Sequence, residues 1–418
     1  MPSYKTIKGT HDLLPGQMEK WREVESRCLG IMKQFGYHEI RTPVFESTDL
    51  FLRGIGSETD IVTKEMYSWE DQGGNALTLK PELTAPVARA YIQHQLGNQH
   101  PLQRLGYYDA LFRRERPQKG RQRQFYQFGA EAIGSPHPEQ DAEIITLAYT
   151  IYKSFNIQDM TVKLNSIGSA EIRPAYLTHL RDTLQSKKQE LCQTCQTRLE
   201  NNALRIFDCK NPSCQETLDS HAPLIFHSIS DDDKKHFDTV IDILTSNDIP
   251  FEHDKKLVRG LDYYSHTTFE ITSQSLGSQD ALCGGGRYDE LIEQLGGKPV
   301  PAVGFAAGVE RLLLAMDEND TAEAFPLVYM VVLGEGAIQK ATALVQELRS
   351  STGESIVMET LRRSMKAQMR EAGRCNARYC TIIGENELNS QCVVVKDMES
   401  GEQEEVPFSE LSSWFSDK

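Results

Sequence analysis

The segment RQFYQFGAEA, residues 123–132, constrains the fold more than any other, because its polar and apolar side chains alternate. Residues two apart lie on the same face of a β-strand. One face would carry Arg123, Phe125, Gln127 and Glu131, a set that forms no hydrophobic core. The other face would carry Tyr126, Phe128, Ala130 and Ala132. We therefore predict a strand with a core on one side and a polar cavity on the other.

A basic cluster with the sequence RRERPQKGRQR, residues 113–123, precedes this strand, and DALFRRE predicts a partner strand for it. The two strands would form a hairpin with a long loop. Arg113 and Glu115 share one face of the partner strand, so the hairpin would place guanidiniums and a carboxylate on one face of the sheet, which would form the floor of the cavity. Such a floor suits a substrate with phosphates and a cationic amine, because guanidinium binds phosphate and carboxylate binds ammonium. These residues alone leave a solvated, salt-bridged surface hairpin open as the alternative.

The charge of the chain limits how it can contact nucleic acid. Its 418 residues carry a formal net charge of −15, which argues against nonspecific coating of RNA or DNA. Any RNA contact should therefore be local, and the basic cluster is the candidate. The chain has no run of about 18 apolar residues and no signal-peptide pattern, so we expect a cytoplasmic protein without membrane contact.

Alternating strand and helix patterns from Pro326 onward predict a C-terminal α/β domain, 326–418, with a mainly parallel sheet. A basic, methionine-rich helix is predicted at 358–374. Residues 1–325 would form the other domain. Within it, a shift to polar and charged composition predicts a small inserted unit at about 174–222.

Four cysteines lie in the predicted insertion. Cys192 and Cys195 form a CxxC pair, and Cys209 and Cys214 form a looser CxxxxC pair. A reducing compartment favours metal binding over disulfides, and the set could hold Zn²⁺ tetrahedrally. The looser spacing of the second pair favours an insertion that binds no metal. A zinc site is kept as the alternative interpretation.

Three further segments would contribute to the cavity. LVRGLDYYSHTTFEI predicts a strand that carries Tyr264 beside Arg259. CGGGRYDE predicts a tight glycine turn that lets a ligand approach the backbone. GFAAGVERLLLAM predicts a strand or turn that leads into a helix with Arg311 in its first turn. An arginine there opposes the helix dipole, so we expect it to contact a bound triphosphate or adenine ring.

These segments carry a family resemblance. FRRERPQKGRQRQFYQFGAE resembles motif 2 of the class II aminoacyl-tRNA synthetases, GFAAGVERL resembles motif 3, and KGTHDLLPG with TPVFE resembles motif 1. LVRGLDYY and CGGGRYD are similar to two peptides peculiar to the histidyl-tRNA synthetases, of the bacterial type. The resemblance implies an α+β fold: a catalytic domain with a mainly antiparallel mixed sheet, a small insertion, and a C-terminal α/β anticodon-binding domain. The lack of GxxxxGK and GxGxxG peptides agrees with it.

The resemblance also implies an activity. Such an enzyme activates L-histidine with ATP and Mg²⁺ to histidyl-adenylate and pyrophosphate, then transfers histidine to the 3′ end of tRNA(His). The family forms homodimers, partly through motif 1. The alternative is a noncatalytic, synthetase-like regulatory subunit of ATP phosphoribosyltransferase. Such paralogues generally lack the anticodon domain and some ATP-binding arginines, whereas this chain retains both features.

Site residues follow by matching the family's motifs. Arg113 and Arg259 would be the catalytic pair that holds the α-phosphate. The residues expected to bind histidine are Glu82, Leu83, Thr84, Arg113, Gln127, Glu131, Arg259, Tyr263 and Tyr264. The residues expected to bind ATP are Arg113, Glu115, Arg121, Phe125 and Arg311. The residues expected to contact the tRNA acceptor end are Arg116, Gln118 and Lys119.

Overall fold

The computed structural model describes residues 4–56, 59, 61–118, 120–274, 280–316 and 325–416. The chain divides into two compact units, residues 1–321 and 322–418. Each unit has hydrophobic clusters of its own. Among the described helices, none has both the length and the apolar character that a membrane crossing requires.

The first unit combines helices with two sheets. Its described helices are α1 Pro15–Gln34, α2 Thr48–Ile55, α3 Thr84–Gln93, α4 Pro138–Ser154, α5 Arg173–Gln185, α6 Gln193–Asn201, α7 Pro212–His221, α8 Asp231–Ser246, α9 Leu291–Gln294 and α10 Val309–Ala315. Its described strands are β1 His38–Glu39, β2 Phe45–Ser47, β3 Tyr67–Glu70, β4 Ala76–Leu79, β5 Gln103–Phe112, β6 Gln124–Ile133, β7 Met160–Ser166, β8 Phe251–His253, β9 Ser265–Ser273, β10 Ala281–Arg287 and β11 Ala302–Gly308.

The larger sheet has eight strands in the order β1-β5-β6-β11-β10-β9-β7-β8. Only its two outermost pairs, β1 with β5 and β7 with β8, are parallel. The fold class expected from the family resemblance, a mainly antiparallel mixed sheet in an α+β chain, is therefore confirmed. Strands β2, β4 and β3 form a separate antiparallel sheet. Strands β1 and β2 belong to different sheets on either side of Pro43.

The predicted hairpin and its two faces are confirmed. Strands β5 and β6 pair antiparallel along their whole length, with Phe112 opposite Gln124 at the open end of the loop. On one face, Phe128 and Ala130 are buried in a core cluster with the apolar residues of helix α4. On the other face, Phe125 and Gln127 line a cavity. Alternation along one strand thus separates the core from a polar site.

The glycine turn predicted for CGGGRYDE is wrong. Residues Cys283 to Arg287 lie inside strand β10, and a helix begins only at Leu291. The glycines serve close packing instead: a Cβ atom on Gly285 would lie 2.2 Å from the carbonyl oxygen of Gly304, and one on Gly284 would lie 1.9 Å from the Arg259 guanidinium. Three adjacent glycines usually weaken a strand, but here neighbouring groups fill the space that side chains would occupy.

The insertion region forms helices α5, α6 and α7 around short 3₁₀ turns. Its buried residues, among them Leu180, Leu199 and Leu218, belong to the same cluster as Leu83 and Tyr107 next to the cavity. The region therefore shares a hydrophobic core with the rest of the first unit.

The second unit is a five-stranded sheet with flanking helices. Its described strands are β12 Val328–Val332, β13 Ile356–Met358, β14 Tyr379–Ile383, β15 Cys392–Asp397 and β16 Gln403–Pro407. Its described helices are α11 Ile338–Thr352, α12 Met365–Arg374, α13 Glu385–Ser390 and α14 Leu411–Ser416. The order is β13-β12-β14-β15-β16.

Two predictions for this unit need correction. The sheet is not mainly parallel, because β15 and β16 continue it antiparallel and β16 was not predicted. Its sequence QEEVP has few apolar residues, as befits an exposed edge. The helix predicted at 358–374 is shorter, since Met358 ends strand β13 and α12 begins at Met365.

Candidate active site

A cavity of about 460 Å³ opens on the polar face of the eight-stranded sheet. Its walls include the hairpin strands, the segment before β9, and the start of helix α10. The expected site residues that line it are Glu82, Thr84, Arg113, Glu115, Arg121, Phe125, Gln127, Arg259, Tyr263, Tyr264 and Arg311. Segments that are as far apart in sequence as Glu82 and Arg311 thus meet in one concave site.

Arg113 and Glu115 lie in the loop after strand β5, which ends at Phe112, and not on the strand as predicted. Arg113 is contacted from three sides. Its Nε donates to the carbonyl oxygen of Pro81 at 2.9 Å, and its guanidinium carbon lies 5.2 Å from the centre of the Phe125 ring. Glu115 accepts from Arg121 at 3.3 Å and lies 3.8 Å from Arg113. The side chain of Arg113 is one-fifth exposed, so part of the guanidinium can still meet an anion.

Arg259 faces the cavity from another side. The predicted strand exists as β9 but begins only at Ser265, so Tyr264 lies immediately before it and Arg259 lies in the preceding loop. Its Nη1 donates to Glu270 at 2.9 Å. Glu270 on β9 pairs directly with Gly284 on β10, and the guanidinium lies in the space above that glycine. The buried Nε of Arg259 has no hydrogen-bond partner within the described part of the chain.

We predict that Gly284→Ala decreases catalysis without unfolding the protein. The new methyl group would overlap the guanidinium at the end of the Arg259 side chain and displace it, with no backbone atom among its nearest contacts. A displacement of about 1 Å in a catalytic group costs about 100-fold in rate. Rates of histidine-dependent ATP–pyrophosphate exchange, together with thermal melting, would measure both effects.

Gly285→Ala is the matched control, because its methyl group would strike the backbone of Gly304. It should lower the free energy of unfolding by about 1–3 kcal/mol. If Gly284→Ala retains full activity, or if both variants lose stability equally, the absence of a side chain at Gly284 does not serve to position Arg259.

Glu82 and Thr84 lie at the start of helix α3, Gln127 lies on strand β6, and all three line the cavity. The Glu82 carboxylate accepts from the backbone N–H groups of Thr84 and Ala85 at 2.8 and 3.0 Å. Burial raises the pKa of Glu82 to about 6, although those two N–H groups and Arg113 act in the opposite direction. Across the cavity, the buried Gln127 Oε1 has no partner among the described residues. These acceptors suit an ammonium group.

Glu131 lies beneath the cavity floor and is 1% exposed. Its carboxylate accepts hydrogen bonds from the hydroxyls of Thr84 at 2.8 Å and Tyr107 at 3.0 Å, and from Tyr288. A carboxylate offers about four acceptor positions, and these three hydroxyls fill three of them. Gly304 leaves room for this group, because a Cβ there would lie 1.6 Å from Glu131 Oε2.

Burial raises the pKa of Glu131 from 4.5 to about 8, although three hydroxyl donors favour the ionised form. The folded chain thus binds this proton more tightly than the unfolded chain, so the stabilisation is complete below pH 4.5 and is lost as the pH rises towards 8. Glu131→Gln removes the titration. Relative to wild type, its free energy of unfolding should improve by on the order of 4 kcal/mol between pH 4.5 and 8.

Urea unfolding at several pH values would measure this difference, with the exposed Glu171→Gln as control. Parallel pH curves for wild type and Glu131→Gln would show that Glu131 ionises normally in the folded chain.

The rings of Tyr263 and Tyr264 contact each other at the cavity wall, with their centres 4.7 Å apart and their planes tilted by 45°. Burial raises the pKa of both phenols, so they are hydrogen-bond donors at neutral pH. Arg311, in the first turn of α10, donates to the carbonyl oxygen of Ala281. Burial lowers the pKa of Arg311.

Some expected residues lie elsewhere. The side chain of Leu83 is buried in the core, 1% exposed, so only its backbone could meet a ligand. Arg116 and Gln118 are exposed in the hairpin loop, and Lys119 falls outside the described residues. Sequence reasoning missed several other side chains that shape the site, among them Tyr107, Arg205, Glu270 and Tyr288. Tyr288 stands within the quoted peptide CGGGRYD, and Glu270 within the quoted strand.

An antiparallel sheet with arginines and carboxylates on one face defines the catalytic architecture expected of class II aminoacyl-tRNA synthetases. A family model described as histidyl-tRNA synthetase matches residues 9–312, and one described as an anticodon-binding domain matches residues 327–418. The chain belongs to the histidyl-tRNA synthetase family.

Individual relatives agree with this assignment. The chain is 45% identical to the histidine–tRNA ligase of Natranaerobius thermophilus, with 96% of each chain covered. It is 46% identical to that of Lysinibacillus sphaericus, with 99% of each covered. Among solved structures, apo histidyl-tRNA synthetase from S. aureus matches with a TM-score of 0.84 and 35% identity, over 99% of this chain and 100% of that one.

Proposed function

We propose that this chain is a histidine–tRNA ligase. It would activate L-histidine with ATP to histidyl-adenylate and pyrophosphate, and then transfer histidine to the 3′ end of tRNA(His). The observation that carries the proposal is the cavity lined by Arg113, Arg259, Glu82 and Gln127, with Glu131 buried behind Thr84. Family membership supplies the choice of substrates.

The first step needs positioned charge more than a strong base. The histidine carboxylate attacks the α-phosphorus of ATP, and the bond to pyrophosphate breaks. Arg113 and Arg259 would hold the α-phosphate from two sides, which offsets negative charge as it develops there. Phe125 and Arg311 would hold the adenine, and Glu115 with Arg121 would border the phosphates.

Mg²⁺ would enter with ATP. Carboxylate oxygens are ligands that Mg²⁺ accepts, and Glu115 and Glu270 line the cavity beside the two arginines. These carboxylates fit the ion, which would offset charge on the phosphates.

Histidine has an ammonium group and an imidazole ring to be recognised. Glu82, Thr84 and Gln127 would accept from the ammonium. The remaining acceptor position of Glu131 would take one ring N–H, and Tyr264 would meet the other nitrogen. A side chain of the same size without these polar atoms would leave buried groups unpaired and would be rejected.

Two further elements belong to the proposal. Arg116 and Gln118, both exposed, would meet the tRNA acceptor end together with Lys119. A homodimer in the cytoplasm would form partly through the small sheet β2-β4-β3, where Phe45 and Trp69 are 50% and 41% exposed with their rings 5.9 Å apart. Exposed apolar groups of this size favour an interface.

The regulatory alternative has less support. A structure described as an ATP phosphoribosyltransferase regulatory subunit/histidyl-tRNA synthetase from Bacillus halodurans matches with 22% identity and a TM-score of 0.64, which shows the fold alone. The cavity arginines and the match to an anticodon-binding domain both favour the ligase.

Histidine-dependent ATP–pyrophosphate exchange tests the proposal, and charging of tRNA(His) tests its second half. We expect exchange with histidine but not with other amino acids. Folded chain that binds histidine without catalysing exchange would support the regulatory alternative, and exchange without charging would overturn the transfer step. Light scattering would give the oligomeric state.

A further inference from the structure

The four cysteines of the insertion converge on one point. Their sulfur atoms all lie within 4.8 Å of one another, although the residues span 23 positions of the chain, from 192 to 214. Cys192 and Cys209 are 3.9 Å apart at their sulfurs. Four sulfurs at about 2.3 Å from a tetrahedral Zn²⁺ would be separated by about 3.8 Å, so the observed spacing is close to that of a bound ion.

The local backbone also fits thiolate ligands. The backbone N–H of Cys192 donates to the sulfur of Cys214 at 3.1 Å, and that of Asn211 donates to the sulfur of Cys209 at 3.4 Å. Such donors favour negatively charged sulfur and hold it in place, as outer contacts do in metal sites. All four residues are free cysteines, and Cys195 and Cys214 are fully buried.

The two half-sites come from different helices. Cys192 immediately precedes helix α6 and Cys195 lies in its first turn, whereas Cys209 and Cys214 flank the start of helix α7. The CxxxxC spacing is longer than that of a usual zinc half-site. Helix α7 begins at Pro212, between the two cysteines, and its first turn brings Cys214 back towards Cys209.

We propose that Cys192, Cys195, Cys209 and Cys214 bind one Zn²⁺ ion as a structural site. The four thiols lose four protons, and the thiolates fill all four positions of the ion, so it has no open position for catalysis. The ion would join α6, α7 and the 3₁₀ segment Ala203–Asp208 between them.

This site has a consequence for the cavity, on the assumption of the proposed ligase function. The segment between the half-sites carries Arg205, which lines the cavity, and Asn202, which donates to Asp262 at 2.7 Å. A fixed 3₁₀ segment would keep this wall in place next to the loop that carries Arg259.

Metal content of the purified full-length chain tests the proposal without reference to activity. Elemental analysis after desalting should give one zinc per chain. Chain in which Co²⁺ replaces zinc should show the intense sulfur-to-cobalt charge transfer of a tetrahedral thiolate site. Cys214→Ser and Cys209→Ser should abolish both signals. Cys392→Ser, on strand β15 of the second unit, is the matched control and should retain them.

Three results would overturn the proposal. The first is metal-free chain whose four cysteines all react with a thiol reagent after purification under zinc and reductant. The second is a disulfide between any two of them in freshly prepared protein, found by mass spectrometry. The third is equal loss of metal from Cys392→Ser and Cys214→Ser. The cobalt spectrum of the wild-type chain decides the question even if a serine variant does not fold.

Discussion

Replacement of Arg259 by glutamine should lower the rate of histidine-dependent ATP–pyrophosphate exchange by about 100- to 1000-fold. The guanidinium lies over Gly284 and is oriented by Glu270 at 2.9 Å. Because its partner and its space are set before any ligand binds, it can stabilise charge at phosphorus without reorganisation. Glutamine keeps a polar N–H donor but is shorter and loses the charge, so the effect should fall on kcat more than on the KM of ATP.

The variant Arg259→Lys distinguishes the contribution of the positive charge from that of the planar guanidinium group. Lysine keeps the charge but cannot form two parallel hydrogen bonds, so its rate should lie between those of the wild type and Arg259→Gln. Arg22→Gln, on the exposed side of helix α1, is the control. Equal rates for wild type and Arg259→Gln, with folding verified by circular dichroism, would exclude Arg259 from the phosphate site.

The second large effect concerns the choice of amino acid. At a pH above 8, where the Glu131 carboxyl is ionised, Glu131→Gln should raise the KM of histidine by about 100-fold and Tyr264→Phe by about 10-fold, because a hydrogen bond to a charged group contributes more than a neutral one. The KM of ATP should change much less in both variants. Kinetics of pyrophosphate exchange at varied histidine and varied ATP would separate the two constants.

Tyr126→Phe is the matched control for these variants. Tyr126 lies on strand β6, as Glu131 does, but on its opposite face, where it packs against Trp21 with ring centres 5.0 Å apart. Loss of its hydroxyl should leave both KM values unchanged. If Glu131→Gln and Tyr264→Phe raise the KM of ATP as much as that of histidine, the two residues do not recognise the imidazole.

The sequence predicted those structural features that are determined by residues adjacent in the chain. Alternation in 123–132 was enough to separate the core face from the cavity face of β6, because strand geometry repeats every two residues. The same reasoning failed at CGGGRYDE. Glycine usually indicates a turn, and the groups that fill the space above Gly284 and Gly285 come from Arg259 and Gly304, which no local pattern reveals.

The environment of Glu131 could not be predicted for the same reason. Its three hydroxyl donors belong to three separate segments, at Thr84, Tyr107 and Tyr288. Burial of the carboxyl raises its pKa, and the three hydroxyls act in the opposite direction. Motif resemblance located Glu131 and Thr84 but offered no sign of Tyr107, which follows an ordinary buried pattern in β5.

The alternation along strand β6 also restricts which sequence changes this protein can accept during evolution. Successive residues of β6 belong alternately to the core and to the cavity, so insertion or deletion of one residue would exchange the two sets over the rest of the strand. The pairing with β5 and β11 on either side would shift as well. During evolution this segment can therefore accept substitutions at single positions, but its length is fixed, and changes in length should be confined to the hairpin loop before Gln124.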